Sequence, residues 1–205
     1  MSIASFEKQL AEARANLERL RASRASLAET LSAFEAISQA QRKLAAARGE
    51  EHAIPYDIGF VPEAAASEPV LLQTDYTAFL TFSAMRIRPN QQREKAGYGV
   101  VRIDLCSLTK FGYPNDEALE GHPLYERGLS AYGVFEVKNS LWIKAITAQN
   151  RVAFPNTPDS KQRHFIFTFH DSTFECIARG IDTSVSEKTY QEVFEEIRRI
   201  SLHRD

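Results

Sequence analysis

Residues 2–48 contain no proline, and the first glycine of the chain is Gly49. Ala, Leu, Glu, Arg and Gln, the strongest helix formers, fill this stretch. Ser2 stands at the N-cap position ahead of a first turn containing Glu7, and Gly49 stands where a C-terminal glycine belongs. Apolar residues recur at alternating spacings of three and four. One row runs Ile3, Leu10, Leu17, Arg24, Leu31, and a second runs Phe6, Ala13, Leu20, Leu27, Phe34. This seven-residue repeat is a coiled-coil-like seam. As one rod it would be about 70 Å long, more than a small domain can cover, and it would need a partner. The alternative is a helical hairpin broken near Ser23-Arg24-Ala25-Ser26. Arg24 is informative in both readings, because a charge in a buried seam costs stability unless it fixes register.

At 205 residues the chain accommodates one well-buried domain with an appendage. Lys+Arg 25 against Asp+Glu 27 leaves a net charge of −2, which argues against a nucleic-acid partner. The helical stretch mixes its charges and lacks the one-sided basic face of a membrane-surface helix. No apolar run is long enough to span a bilayer, and the polar, Ala-rich start lacks the apolar core of a signal peptide. Two cysteines, Cys106 and Cys176, make neither a disulfide framework nor a four-cysteine zinc site, so a reducing, cytoplasmic setting is expected.

Residues 49–69, with Gly49, Pro55, Pro62 and Pro69, read as a linker lying on the domain through Ile54, Tyr56, Ile58 and Phe60. The domain then occupies residues 70–205. Thr77 to Ile87 and Tyr98 to Cys106 have strand character, with Pro89-Asn90 and Gly97 punctuating the link. Tyr132 to Val137 is a further strand, after which Asn139 and Ser140 cap a helix carrying Trp142, Ile143 and Ile146. A last helix over 187–202 shows Tyr190, Val193, Phe194, Ile197 and Ile200 on one face. The predicted class is α+β: an N-terminal amphipathic helix or helical hairpin, then a mostly antiparallel sheet packed against a C-terminal helix.

The clearest local structure is a hairpin over 164–179. With Asp171-Ser172 as its loop, His170 faces Thr173, Thr168 faces Glu175 and His164 faces Arg179. Alternation puts Phe165, Phe167, Phe169, Phe174, Cys176 and Ala178 on a core face. The opposite face collects His164, Thr168, His170, Glu175 and Arg179 around Ile166 and Ile177. Two readings follow for this face. One is a solvated sheet surface stabilised by cross-strand polar pairs. The other is a site wall with His170 as acid–base group, Glu175 as its carboxylate and Arg179 as an anion clamp, supported by His164 and Thr168.

A second candidate is the connection from Lys110 to Ala131, long and rich in aromatic residues, prolines and glycines. Folded over the hairpin, it would add Asp116, Glu117 and His122; read locally, Asn115 to Leu119 is a capped helical turn stopped at His122-Pro123. No phosphate-binding loop, dinucleotide fingerprint, serine-hydrolase elbow or zinc motif occurs. Cys176 falls on the apolar face and reads as buried, whereas Cys106, ending a strand, reads as exposable. Neither a cofactor nor a metal is assigned by these residues.

Two functions are therefore expected to compete. The first is a non-catalytic assembly or binding protein, self-associating or docking on a protein partner through residues 2–48 and recognising a ligand with its domain. The alternative is a small enzyme using His170, Glu175 and His122 for general acid–base or metal-assisted hydrolysis.

Overall fold

A computed structural model gives the fold, and residues 2–88, 92–158 and 161–202 are described. The N-terminal stretch is a hairpin of α1 (Ile3–Ala22) and α2 (Leu27–Ala47), which excludes the single rod. The break has a local cause. The Ser23 hydroxyl donates to the Leu20 carbonyl, and Arg24 takes a positive φ of 52°. Ser26 then caps α2 in a box with Glu29: the Glu29 N–H donates to Ser26 Oγ, and Glu29 Oε2 accepts from the Ser26 N–H. Arg24 is thus an exposed turn residue, not a charge in a seam. Of the apolar rows, Leu17 is buried on α1 while Ile3, Leu27, Leu31 and Phe34 stay exposed; α2 buries instead Ala33, Ala40 and Leu44.

Residues 49–69 are more than a connection. They carry β1 (His52–Pro55) and β2 (Val61–Pro62), each paired into a sheet. The chain continues through β3 (Val70–Gln73), β4 (Thr77–Ile87), β5 (Arg93–Asp104) and β6 (Leu108–Gly112). Two short 3-10 turns follow at Leu119–Gly121 and Tyr125–Arg127. After them come β7 (Val134–Lys138), α3 (Leu141–Ala153), β8 (Arg163–Thr168), β9 (Thr173–Ala178), β10 (Gly180–Ser186) and α4 (Tyr190–Leu202). The expected Pro89-Asn90 turn lies outside the described residues.

Both sheets are antiparallel. One has the order β1-β7-β8-β9-β6; the other runs β10-β5-β4-β2, with β3 also on β4. Their inner faces meet in the main core, where Phe82 and Leu80 from β4 and Val101 and Ile103 from β5 pack against Phe165, Phe167, Phe174 and Cys176. Phe60, from the stretch read as a linker, completes this core. Its ring lies over Gly99, opposite Phe82 in the ladder, where a Cβ would collide with it. Behind the second sheet, Phe79 packs with Val193 and Ile197 of α4. Behind the first, Phe135, Val137 and Ile166 are roofed by Leu119, Leu124 and Leu129 from the 110–131 connection. Of the polar face that the sequence allowed to be solvent-exposed, His164, Thr168 and Glu175 are buried.

The 164–179 hairpin differs from the expected register by two residues. Thr168 faces Thr173, Ile166 faces Glu175 and His164 faces Ile177, with a connection of Phe169-His170-Asp171-Ser172 closed by the Phe169 N–H donating to the Ser172 carbonyl. A shift of two preserves which face each side chain occupies, so the core residues are as expected. It moves His170 off the ladder onto the loop. Arg179 becomes an exposed corner residue between β9 and β10, its N–H donating to Asp104. Cys106 is buried, against expectation, and shares the main core with Cys176.

Candidate functional site

The outer face of the first sheet places Lys110 of β6 directly opposite Glu175 of β9, with His164 of β8 two residues along the ladder and so on the same face. Two covers close over them. The Ser140-capped start of α3 brings Trp142 edge-on to the His164 ring at 5.3 Å, and the 3-10 turns bring His122. The result is an open cleft of about 390 Å³, lined by Glu51, Lys110, His122, Trp142, His164 and Glu175 with Pro123, Leu124 and Leu141.

Glu175 is the hub. Its Oε2 lies 2.9 Å from His164 Nε2; its Oε1 is 3.6 Å from His122 Nε2 and 3.8 Å from Lys110 Nζ. Burial disfavours its charge, but the close approach of His122, the bond to His164 and the Lys110 charge prevail, holding the carboxyl well below the usual carboxylate range. The far nitrogens are also engaged. His122 Nδ1 accepts from the Leu124 N–H at 3.2 Å, which leaves the His122 proton on Nε2, toward Glu175. His164 Nδ1 lies 2.9 Å from Ser140 Oγ, which itself accepts from the Ile143 N–H. Glu51 accepts from the Leu141 N–H at 2.6 Å, closing the rim. Lys110 Nζ stands 4.0 Å from the centre of the Trp142 ring, a cation–π contact.

The remaining expected site residues are distributed differently. His170 and Asp116 meet at the hairpin tip, with His170 Nδ1 3.0 Å from Asp116 Oδ2 and the Tyr132 hydroxyl donating to the same oxygen. The His170 carbonyl also accepts from the Asp116 N–H. Tyr132 reaches this position with φ 57°. Burial and the bond to Asp116 push the Tyr132 hydroxyl up to about 12. The bonds from Tyr132 and His170 lower Asp116, and the bond to Asp116 raises His170 above the usual imidazole value. Glu117 is exposed and contributes only its N–H, to Asp116. Thr168 is structural, with its hydroxyl donating to the Ser130 carbonyl and accepting from the Gly133 N–H. Thus His122, His164 and Glu175 come together, while His170 joins Asp116 in a second group. Arg179 belongs to neither.

The raised His170 carries a pH prediction. Its protonated form gains Asp116, so this contribution is present below the ordinary imidazole range and lost as pH rises through the raised midpoint. NMR titration of the His170 ring should give a midpoint above the usual value, and Asp116→Asn should bring it down. An unmoved midpoint would contradict the pairing.

Among the described residues no group of three or more His, Cys, Asp or Glu side chains has the geometry to hold a metal ion. No helix there is long and apolar enough to cross a membrane. Sequence reasoning did not assign Lys110, Trp142, Ser140 or Tyr132 to a site. Lys110 pairs with Glu175 across 65 residues (175 − 110), and no local pattern signals that. Comparison with known proteins gives no match to a family model, a curated protein or a solved structure.

Proposed function

We propose that this chain is a non-catalytic assembly and binding protein, with recognition in the Glu175 cleft and self-association through the helical hairpin. The observation that carries recognition over reaction is the closure of the cleft's polar network. Both oxygens of Glu175 and all four imidazole nitrogens of His122 and His164 face protein partners. A general base needs an acceptor atom within reach of a substrate proton; His122 Nδ1, both His164 nitrogens and Glu175 Oε2 are already hydrogen-bonded, and Glu175 Oε1 faces His122 Nε2 at 3.6 Å. The open elements are instead a tryptophan ring, a lysine and apolar walls, the parts from which binding sites are built.

Self-association rests on α2. Its face bearing Arg42 and Ala45 lies toward the 3-10 turn at Tyr125–Arg127 and β1. About two to four turns before Arg42 the same face carries Phe34, Leu31 and Leu27, which are 43%, 58% and 75% exposed. This stripe, with Arg21 above Phe34 at 5.6 Å, fits an isologous contact with a second copy of α2. Two free, buried thiols suit the reducing, cytoplasmic setting that this reading expects.

A second reading, catalysis by the Asp116–His170 pair, is favoured by one observation. Asp116 orients Nδ1, while His170 keeps 43% of its side chain exposed. One experiment separates the readings: turnover of activated esters and phosphomonoesters, with and without added divalent metal, by the full chain. The expected result is no turnover sensitive to either histidine. A rate that falls at least tenfold in His122→Gln would overturn the recognition reading of the cleft; one that falls in His170→Gln would establish the alternative.

A further inference from the structure

We propose that the cleft is a receptor for an alkylammonium group and that Lys110 occupies it in the free protein as an internal stand-in. The inference rests on the recognition reading and names its ligand class. Lys110 displays the complex in miniature. Its ammonium lies over the face of Trp142, which attracts a cation through the ring quadrupole, and beside the Glu175 carboxylate. Yet its hold is weak. It sits on an edge strand with 58% of its side chain exposed, and its 3.8 Å approach to Glu175 is outside hydrogen-bond range.

Displacing it leaves little undone. Glu175 keeps His164 and His122, so no buried carboxylate is stranded. With Lys110 turned out to solvent, the cleft presents two carboxylates, Glu51 and Glu175, and an uncovered indole. Pro123, Leu124 and Leu141 then supply apolar walls for an alkyl chain. An incoming ammonium recovers both contacts that Lys110 gives up. Because the internal lysine competes at high effective concentration, it reduces apparent affinity by the fraction of time it occupies the site.

This predicts a gain on removing the competitor, which misfolding cannot mimic. Trp142 is the only tryptophan in the chain, so its emission reports this site alone. Full-length protein and Lys110→Ala are titrated at fixed ionic strength with n-butylamine, with Nα-acetyl-lysine methylamide and with the neutral Nε-acetylated form of the latter. Lys110→Ala should respond saturably at concentrations at least tenfold lower than the parent, and the neutral probe should give no response. A stronger response to the lysine amide assigns the site to a polypeptide side chain; equal responses assign it to free amines. Both uphold the proposal. It is overturned if Lys110→Ala gives no saturable response, or if the neutral probe binds equally. Inorganic phosphate that perturbs Trp142 in the parent but not in Lys110→Ala would also overturn it, making Lys110 the binder of an anion. An amine-blind Lys110→Ala chain showing no histidine-dependent turnover removes the ligand class and leaves the recognition reading standing.

Discussion

Glu175→Ala is expected to lower the unfolding free energy by about 3–5 kcal/mol, the cost of removing one partner from a buried ionic group. The carboxylate is 12% exposed and serves His164, His122 and Lys110 together. Its loss leaves His164, 3% exposed, with an Nε2 proton that neither water nor protein accepts. The sign of the pH dependence follows from the lowered carboxyl. Its stabilisation is fully present above the unfolded-state carboxylate range and is lost as pH falls below it, so the parent should lose stability in acid more steeply than Glu175→Gln does. Urea unfolding of the parent and both variants between neutral and acid pH measures this. A neutral-pH loss below about 1 kcal/mol, as for an exposed pair such as Arg198 and Glu195, would show that water reaches the hub.

Phe82→Ala should cost a comparable amount, about 3–5 kcal/mol, for a different reason. Phe82 is fully buried between the sheets, with ring centres 5.3 Å from Phe169, 5.8 Å from Phe60 and 6.2 Å from Phe167. Truncation leaves a cavity whose walls belong to both sheets and to the 49–69 segment, so no single element can shift to fill it. Phe111→Ala, at a ring 44% exposed on β6, should cost under about 1 kcal/mol. Equal losses at the two positions would mean that the sheets do not pack through Phe82.

How much of this was legible in the sequence depends on the range of the interaction. The helices were legible because their determinants are local: the Ser2 and Ser140 caps and the three/four spacing in α4 lie within a few residues of what they control. The faces of the 164–179 hairpin were legible because alternation survives a register error of two. The identity of the groups that meet was not. Moving the turn from two residues to four took His170 away from Glu175 and gave it to Asp116, 54 residues distant. The heptad in residues 2–48 shows the same limit. It specifies an apolar seam but not what covers it: the turn at Ser23 to Ser26 folds α1 back on α2 and buries Leu17, while Leu27, Leu31 and Phe34 of the same rows stay exposed. Phe60 and β1 were read as linker because proline-rich composition hides strands that exist only by pairing with segments far along the chain.

What the hairpin leaves unburied is the stripe of Leu27, Leu31 and Phe34, and the claim that it joins two copies of the chain is the one most directly measured. Absolute mass by light scattering should be taken on the full chain, because cutting at residue 69 would remove β1 and β2 from their sheets. The full chain is expected to run at a multiple of the 23.1 kDa chain mass, collapsing to the single-chain value in Leu31→Glu and Phe34→Glu with folding intact. A parent that runs as a single chain across the micromolar range, or a multimer untouched by both variants, would contradict it.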